Sequence, residues 1–264
     1  MPEGDIVRRT AARLDQALAG RPLTRAELRW PSAAGAGLTG RTVVANVPYG
    51  KHLLTRLDDG RTLHTHLRME GRWSVERTGS RGAAGSGASV RAILGNETWT
   101  VLGKDLGMLD VLATRDEHQV IGHLGPDLLA DDFPRAGLPE ALRRWADRGP
   151  QPVADVLLDQ RVVAGIGTIF MAESLFARGL WPWTPADEVP EPAHLLGVAR
   201  RLMQRSVAAT VPGSTGESGP GAQTLVHGRA GKPCRRCGAP IQVGEARPAP
   251  FTRPVFYCAR CQTP

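Results

Sequence analysis

The residues Gln160-Arg161-Val162-Val163-Ala164-Gly165-Ile166-Gly167 join two runs of helical periodicity, 152–158 and 168–178, through a glycine-punctuated turn. A helix–turn–helix of this kind leaves backbone amides and a helix N-terminus where an anion can sit. Most helical hairpins only pack, so the stretch alone fits either a packing corner or an anion site. Two more helical runs, 138–146 and 192–208, lie on either side. The helical period begins after Gly125-Pro126-Asp127, and a Gly/Pro/Ser-rich loop at 212–222 closes this half.

Upstream of that boundary the period is two. Runs at 41–47, 52–57, 62–68, 89–94, 97–102 and 108–112 alternate between turn residues, which predicts an antiparallel sandwich or barrel. The Gly/Ser/Ala-rich stretch 77–89 has no apolar rhythm and reads as a mobile loop. Before the strands, Ile6, Val7, Thr10, Ala11, Leu14, Ala17 and Leu18 recur at helical spacing, and Gly20-Arg21-Pro22 ends that helix.

Downstream lies the strongest single motif, Cys234-x2-Cys237-x20-Cys258-x2-Cys261, which uses all four cysteines of the chain. Two close pairs of thiolates are the tetrahedral set of one structural zinc ion, in the spacing of a zinc ribbon. A closed four-sulfur site keeps no open position, so this zinc is expected to hold structure and present the hairpin bearing Arg247 and Arg253, not to activate water. The same segment, from Gln223 onward, carries seven basic residues against one acid, six of the seven net positive charges of the 264-residue chain. That concentration suits a polyanionic partner. There is no run of 18 apolar residues, no basic-then-apolar leader after Met1, and no phosphate-binding glycine loop or nucleotide fingerprint. The expectations are a cytoplasmic, nucleoid-associated monomer with no membrane and no nucleotide cofactor.

The chain opens Met1-Pro2-Glu3-Gly4-Asp5. Removal of Met1 before a small residue would leave Pro2 as a secondary amine, able to attack a carbon at the aldehyde oxidation level and form an iminium. An α-amino group has a reference pKa of about 7.7–8.0, so on the order of a tenth is unprotonated at neutral pH, far more than for lysine. Glu3 stands beside it as a proton donor. An ordinary helix start is the plain alternative. Lys51 follows Pro48-Tyr49-Gly50 at a tight turn, either as a solvated lysine or as a displayed cation. His64 and His66 alternate on one strand face and lack a regularly spaced third ligand, so packing or hydrogen bonding is expected of them.

Taken in order, these features resemble the formamidopyrimidine-DNA glycosylase/endonuclease VIII family across essentially the whole chain. The matching signatures are Pro2-Glu3-Gly4, Gly50-Lys51-His52-Leu53-Leu54, and His66-Leu67-Arg68-Met69-Glu70-Gly71. They continue with Leu158-Asp159-Gln160 through Gly165-Ile166-Gly167, Gly228-Arg229, and the ribbon whose third ligand lies in Phe256-Tyr257-Cys258. The resemblance implies an α+β fold of two lobes: an N-terminal helix on an antiparallel β-sandwich, and a helical helix–two-turn–helix domain with a zinc finger. The expected boundaries are 1–125, 126–222 and 223–264, with damaged DNA in the cleft between the lobes. It also implies that Pro2 attacks C1′ while Glu3 assists sugar-ring opening, and that elimination then nicks the strand. Lys51 and Arg253 would grip phosphate at the lesion. Gly165, Gly167, Thr168 and Arg229 would touch the DNA backbone.

Two positions depart from the pattern. The family's asparagine after Gly-Ile-Gly is Thr168 here, and its aromatic before Gly-Arg is His227. A threonine hydroxyl can donate to phosphate or simply cap its helix. The purine-repair branch carries an Arg-x-Phe-Gly wedge where this chain has Lys104-Asp105-Leu106-Gly107-Met108. The endonuclease VIII branch fills the emptied helix from one loop, which matches Arg68, Met69 and Glu70, with Met69 as wedge. Oxidised pyrimidines are therefore the expected substrates, ahead of 8-oxoguanine and formamidopyrimidines. A non-catalytic zinc-ribbon DNA-binding protein is the reading from another class, and intact Pro2, Glu3 and Lys51 argue against it.

Overall fold

The computed structural model describes residues 2–264 and divides into two compact units that meet between His123 and Leu124. In the first unit, helix α1 (Gly4–Leu18) buries Val7, Ala11, Leu14 and Leu18, the stripe its spacing predicts. Glu3 is its N-cap, and the Glu3 carbonyl accepts the amides of Ile6 and Val7 at 3.1 and 3.2 Å. The helix packs on β2 (Val43–Tyr49) and its sheet, and shares one apolar cluster with Leu53, Leu63, Leu94 and Leu109.

Eight strands form two four-stranded sheets, antiparallel throughout. They are β1 (Arg25–Leu28), β2, β3 (His52–Leu57), β4 (Arg61–His66), β5 (Arg72–Arg77), β6 (Val90–Gly95), β7 (Trp99–Lys104) and β8 (Met108–Ala113). One sheet runs β2-β3-β4-β8 and the other β1-β6-β7-β5. β1 and β5 fall outside the predicted strands, and both are sheet edges. An edge strand borrows half its hydrogen bonds from one neighbour and tolerates charge, so Arg25, Glu27, Arg72 and Glu76 mask it in the sequence. The stretch expected as a mobile loop holds a one-turn helix, Arg81–Ala84. Arg25 donates to the carbonyls of Ala83 and Ala84, and Arg29 donates to that of Gly85 at 2.6 Å. A short helix, α2 (His118–Ile121), ends the unit.

The second unit contains α3 (Leu138–Ala146), α4 (Val153–Leu158), α5 (Thr168–Arg178), α6 (Pro192–Ala208) and the hairpin β9 (Gln242–Ala246)–β10 (Arg253–Tyr257). Its core joins Phe170, Met171, Leu175 and Phe176 of α5 to Ile241, Ala246, Val255 and Cys258 of the cysteine-bearing segment. That segment is too short to build a core alone and leans on α5 instead. Gln262 fastens the end of the chain, accepting from the Cys258 amide at 3.0 Å and donating to the Leu180 carbonyl at 2.9 Å. Among the described residues no helix is long and apolar enough to cross a membrane.

Candidate nucleic-acid interface

In the first unit, Pro2 is half-buried and Glu3 is fully buried, so the pair is a fixed helix start and not a frayed end. Whether Met1 is retained lies outside the described residues. Lys51 stands at the β2–β3 hairpin, where Gly50 takes φ +55 and Tyr49 pairs with His52. The hairpin's next residue joins a histidine cluster that the sequence only half revealed. His52, His64 and His66 gather on adjacent strands, with His52 Nδ1 2.8 Å from His64 Nε2 and the two rings stacked at 5.1 Å. Burial first, then neighbouring His66 and His64, pushes His52 down to about 3. Burial and nearby Lys51 push His66 down to about 4. All three act as neutral hydrogen-bonding rings at pH 7, as expected of His64 and His66.

His66 fixes the turn that follows it. Its Nδ1 accepts the Arg68 amide at 2.9 Å, so the proton sits on Nε2. Arg68 takes φ +52, and the Gly71 amide closes the turn on the Leu67 carbonyl at 2.9 Å. A side chain at Gly71 would stand 2.3 Å from that carbonyl oxygen, and one at Gly107 would meet the Arg68 stem at 2.4 Å. The turn therefore needs both glycines. Arg68, Met69 and Glu70 project from it, and Met69 is 63% exposed. In the neighbouring stretch Leu106 is buried and Asp105 is tied to Arg72 at 3.2 Å, so no apolar side chain stands out there.

In the second unit the Gln160 side chain staples the turn between α4 and α5. Its amide nitrogen donates to the carbonyls of Leu158 and Ile166 at 3.1 and 2.9 Å, and its oxygen accepts the Gly165 amide at 3.0 Å. Gly165 takes φ +112, a conformation that favours glycine, while Val162, Val163 and Ile166 are buried beneath. Gly167 is the N-cap of α5 with no side chain to bond the helix, and Thr168 opens the helix with its own side chain buried. Thr168 Oγ1 lies 3.5 Å from His227 Nε2, which brings the two departures from the family pattern together.

Sequence reasoning missed Glu173. This fully buried carboxylate accepts the Ser214 hydroxyl at 2.5 Å and the amides of Leu225, Val226 and His227 at 2.8, 2.8 and 2.9 Å. A lone acid inside Phe170-Met171-Ala172-Glu173-Ser174-Leu175-Phe176 was the available signal. Its donors lead straight into Gly228-Arg229. Arg229 donates to the carbonyls of Leu225 and Pro233 at 2.8 and 2.9 Å and braces that segment.

The sulfurs of Cys234, Cys237, Cys258 and Cys261 all lie within 4.8 Å of one another. Two separations, 4.0 Å for Cys234–Cys261 and 3.5 Å for Cys237–Cys258, straddle the S···S edge of about 3.8 Å that a tetrahedron with zinc–sulfur bonds near 2.3 Å requires. Both are far beyond a disulfide bond. Burial and the neighbouring sulfurs push Cys261 up to about 12, so four thiolates need a cation among them. Arg253 starts β10, exposed, donating to the Thr252 carbonyl at 2.9 Å. Arg247, expected to be displayed beside it, instead turns to α4. Its amide donates to Asp155 Oδ1 at 2.8 Å and its guanidinium to the Leu158 carbonyl, so it braces the hairpin.

The comparisons with known proteins agree across both units. The chain matches the family models described as the formamidopyrimidine-DNA glycosylase N-terminal domain, over residues 1–101, and H2TH domain, over residues 124–217. It is 43% identical to "Probable endonuclease 8 2" of Streptomyces coelicolor, covering 99% of this chain and 94% of the relative. It is 36% identical to "DNA-(apurinic or apyrimidinic site) lyase Nei2" of Mycolicibacterium smegmatis, covering 100% and 99%. Among solved structures, MutM (Fpg) of Thermus thermophilus superposes with a TM-score of 0.79 at 27% identity, over 99% of this chain and 98% of that one.

Proposed function

This chain belongs to the formamidopyrimidine-DNA glycosylase family, and from that premise we propose that it is a bifunctional DNA glycosylase/AP lyase of base excision repair acting on oxidised pyrimidines. The observation that carries the reading is the locked Pro2-Glu3 start: Glu3 is fully buried and caps α1, so the amine preceding it has a defined position. With Met1 removed, the Pro2 nitrogen attacks C1′ of the damaged nucleotide. Glu3 delivers a proton as the sugar ring opens, the base departs, and the nitrogen lone pair becomes the C1′ iminium. Loss of a C2′ proton then expels the 3′ phosphate, and a further elimination expels the 5′ phosphate. Lys51 and Arg253 hold the flanking phosphates, and Arg68, Met69 and Glu70 occupy the space left by the flipped nucleotide. The Cys234, Cys237, Cys258 and Cys261 thiolates hold one structural zinc, which supplies no chemistry and fixes the β9–β10 hairpin.

The preference for pyrimidines rests on Met69 being exposed while Leu106 is buried. A borohydride-trapping panel tests both levels. Covalent complexes with abasic and thymine-glycol DNA, and far fewer with 8-oxoguanine DNA, are expected. Strong trapping on 8-oxoguanine would favour the purine branch, and none on abasic DNA would favour a non-catalytic DNA-binding protein.

A further inference from the structure

Thr168 and His227 stand 59 residues apart in the chain, and the fold sets the hydroxyl of one 3.5 Å from Nε2 of the other. His227 is held from several sides. Its amide donates to Glu173 Oε1 at 2.9 Å, its carbonyl accepts the Thr224 hydroxyl at 2.7 Å, and its ring meets the edge of Phe256 at 4.8 Å. The amides of Leu225 and Val226 end on the same buried carboxylate, so the backbone that carries the ring is fixed in place. Burial pushes the imidazole down to about 4, so at pH 7 it is neutral, with one donor nitrogen and one acceptor.

We propose that His227 is a positioning residue for DNA binding, whose Nε2–H donates to the Thr168 oxygen and turns the hydroxyl hydrogen toward a phosphate oxygen at the start of α5. This deepens the proposed function and rests on it. The tautomer follows from what a phosphate can accept. If Thr168 donated to Nε2, its only hydrogen would be consumed, and a phosphate would face lone pairs alone. With the proton on Nε2, the histidine fills a lone pair of the hydroxyl and frees its hydrogen. Gly167 offers no side chain at this helix start, so the hydroxyl is the side-chain donor available there. A two-residue relay thus stands where the family pattern has one asparagine, and the aromatic-to-histidine change at 227 accompanies the asparagine-to-threonine change at 168.

The test uses the full-length, zinc-loaded protein and a duplex carrying a tetrahydrofuran abasic analogue. Dissociation constants are measured against salt for wild type, T168A, H227F, the double variant and H227Q. A hydrogen bond to a charged group sets the expected loss at roughly tenfold for T168A and for H227F. The double variant should be no weaker than T168A, since without the hydroxyl there is nothing for His227 to orient. The salt slope should stay unchanged, because the lost donor is neutral. H227Q, which keeps an N–H at similar reach, should recover most of the affinity. Additive losses of roughly a hundredfold in the double variant, or T168A binding like wild type, would overturn the proposal. So would an H227F protein with fewer active molecules but an unaltered dissociation constant, which is the mark of a purely structural histidine. Wild type that neither binds this duplex nor is trapped on abasic DNA would instead overturn the functional reading.

Discussion

Glu3 and Pro2 divide two duties on the proposed reading, and substitutions separate them. Glu3→Gln keeps the N-cap, because the carbonyl that accepts the amides of Ile6 and Val7 belongs to the backbone. It removes only the transferable proton. DNA binding is expected to stay within about twofold of wild type while base excision falls by roughly a hundredfold or more, within the range general acid–base groups contribute. Pro2 must carry a free amine, since an amide delocalises its lone pair. Mass spectrometry of active enzyme should show loss of Met1, and borohydride should link abasic DNA to the peptide that begins at Pro2. Normal trapping by protein with Met1 wholly retained would move the nucleophile elsewhere, with Lys51 the first candidate.

The Leu67–Gly71 turn shows how a short element presents a side chain. His66 Nδ1 pins the Arg68 amide, Gly71 lets the backbone close on Leu67, and Gly107 clears space for the Arg68 stem. Met69 is left outside the packed core at 63% exposure, where desolvating it against a base stack is favourable. Met69→Ala is expected to slow excision of a paired thymine glycol by roughly tenfold and to leave cleavage of a ready-made abasic site almost unchanged. On the proposed reading the wedge stabilises the flipped state, and an abasic site has no base to extrude. Equal losses on both substrates, measured in single-turnover assays, would assign Met69 to packing.

Across the whole molecule, the two units carry separate apolar clusters, and the cysteine-bearing segment draws on that of the second. Cys258 is both a sulfur of the four-cysteine cluster and a fully buried member of that apolar cluster. Cys258→Ser is expected to release the metal, unfold the β9–β10 hairpin and weaken DNA binding by at least tenfold, because Arg253 loses its platform. The first unit should stay folded, since its apolar cluster is built from its own residues. Metal analysis, hydrogen exchange resolved by unit and a binding titration check the three parts. Full affinity in verified zinc-free protein would contradict the role given to the hairpin.

The sequence by itself determined what local pattern can encode. Period-two runs before Gly125 and period-3.6 runs after it follow from local pattern alone, and the cysteine spacing announced a four-sulfur cluster. The glycines around Ile166 marked the turn before α5. Each of these signals is carried by neighbours within a few residues. Tertiary structure alone decided the rest. Edge strands β1 (Arg25–Leu28) and β5 (Arg72–Arg77) alternate only over short, charged stretches, and interior strands β6 and β7 supply the partners that make them strands. Arg247 braces α4 because Asp155, 92 residues away, accepts its amide. Glu173 ties together Ser214 and the amides of 225–227, and His52 completes a histidine cluster from a neighbouring strand. Thr168 and His227, read separately as two departures from a pattern, became one contact. Periodicity reports which face of an element is buried, whereas a hydrogen bond between distant residues exists only once packing has brought donor and acceptor within reach.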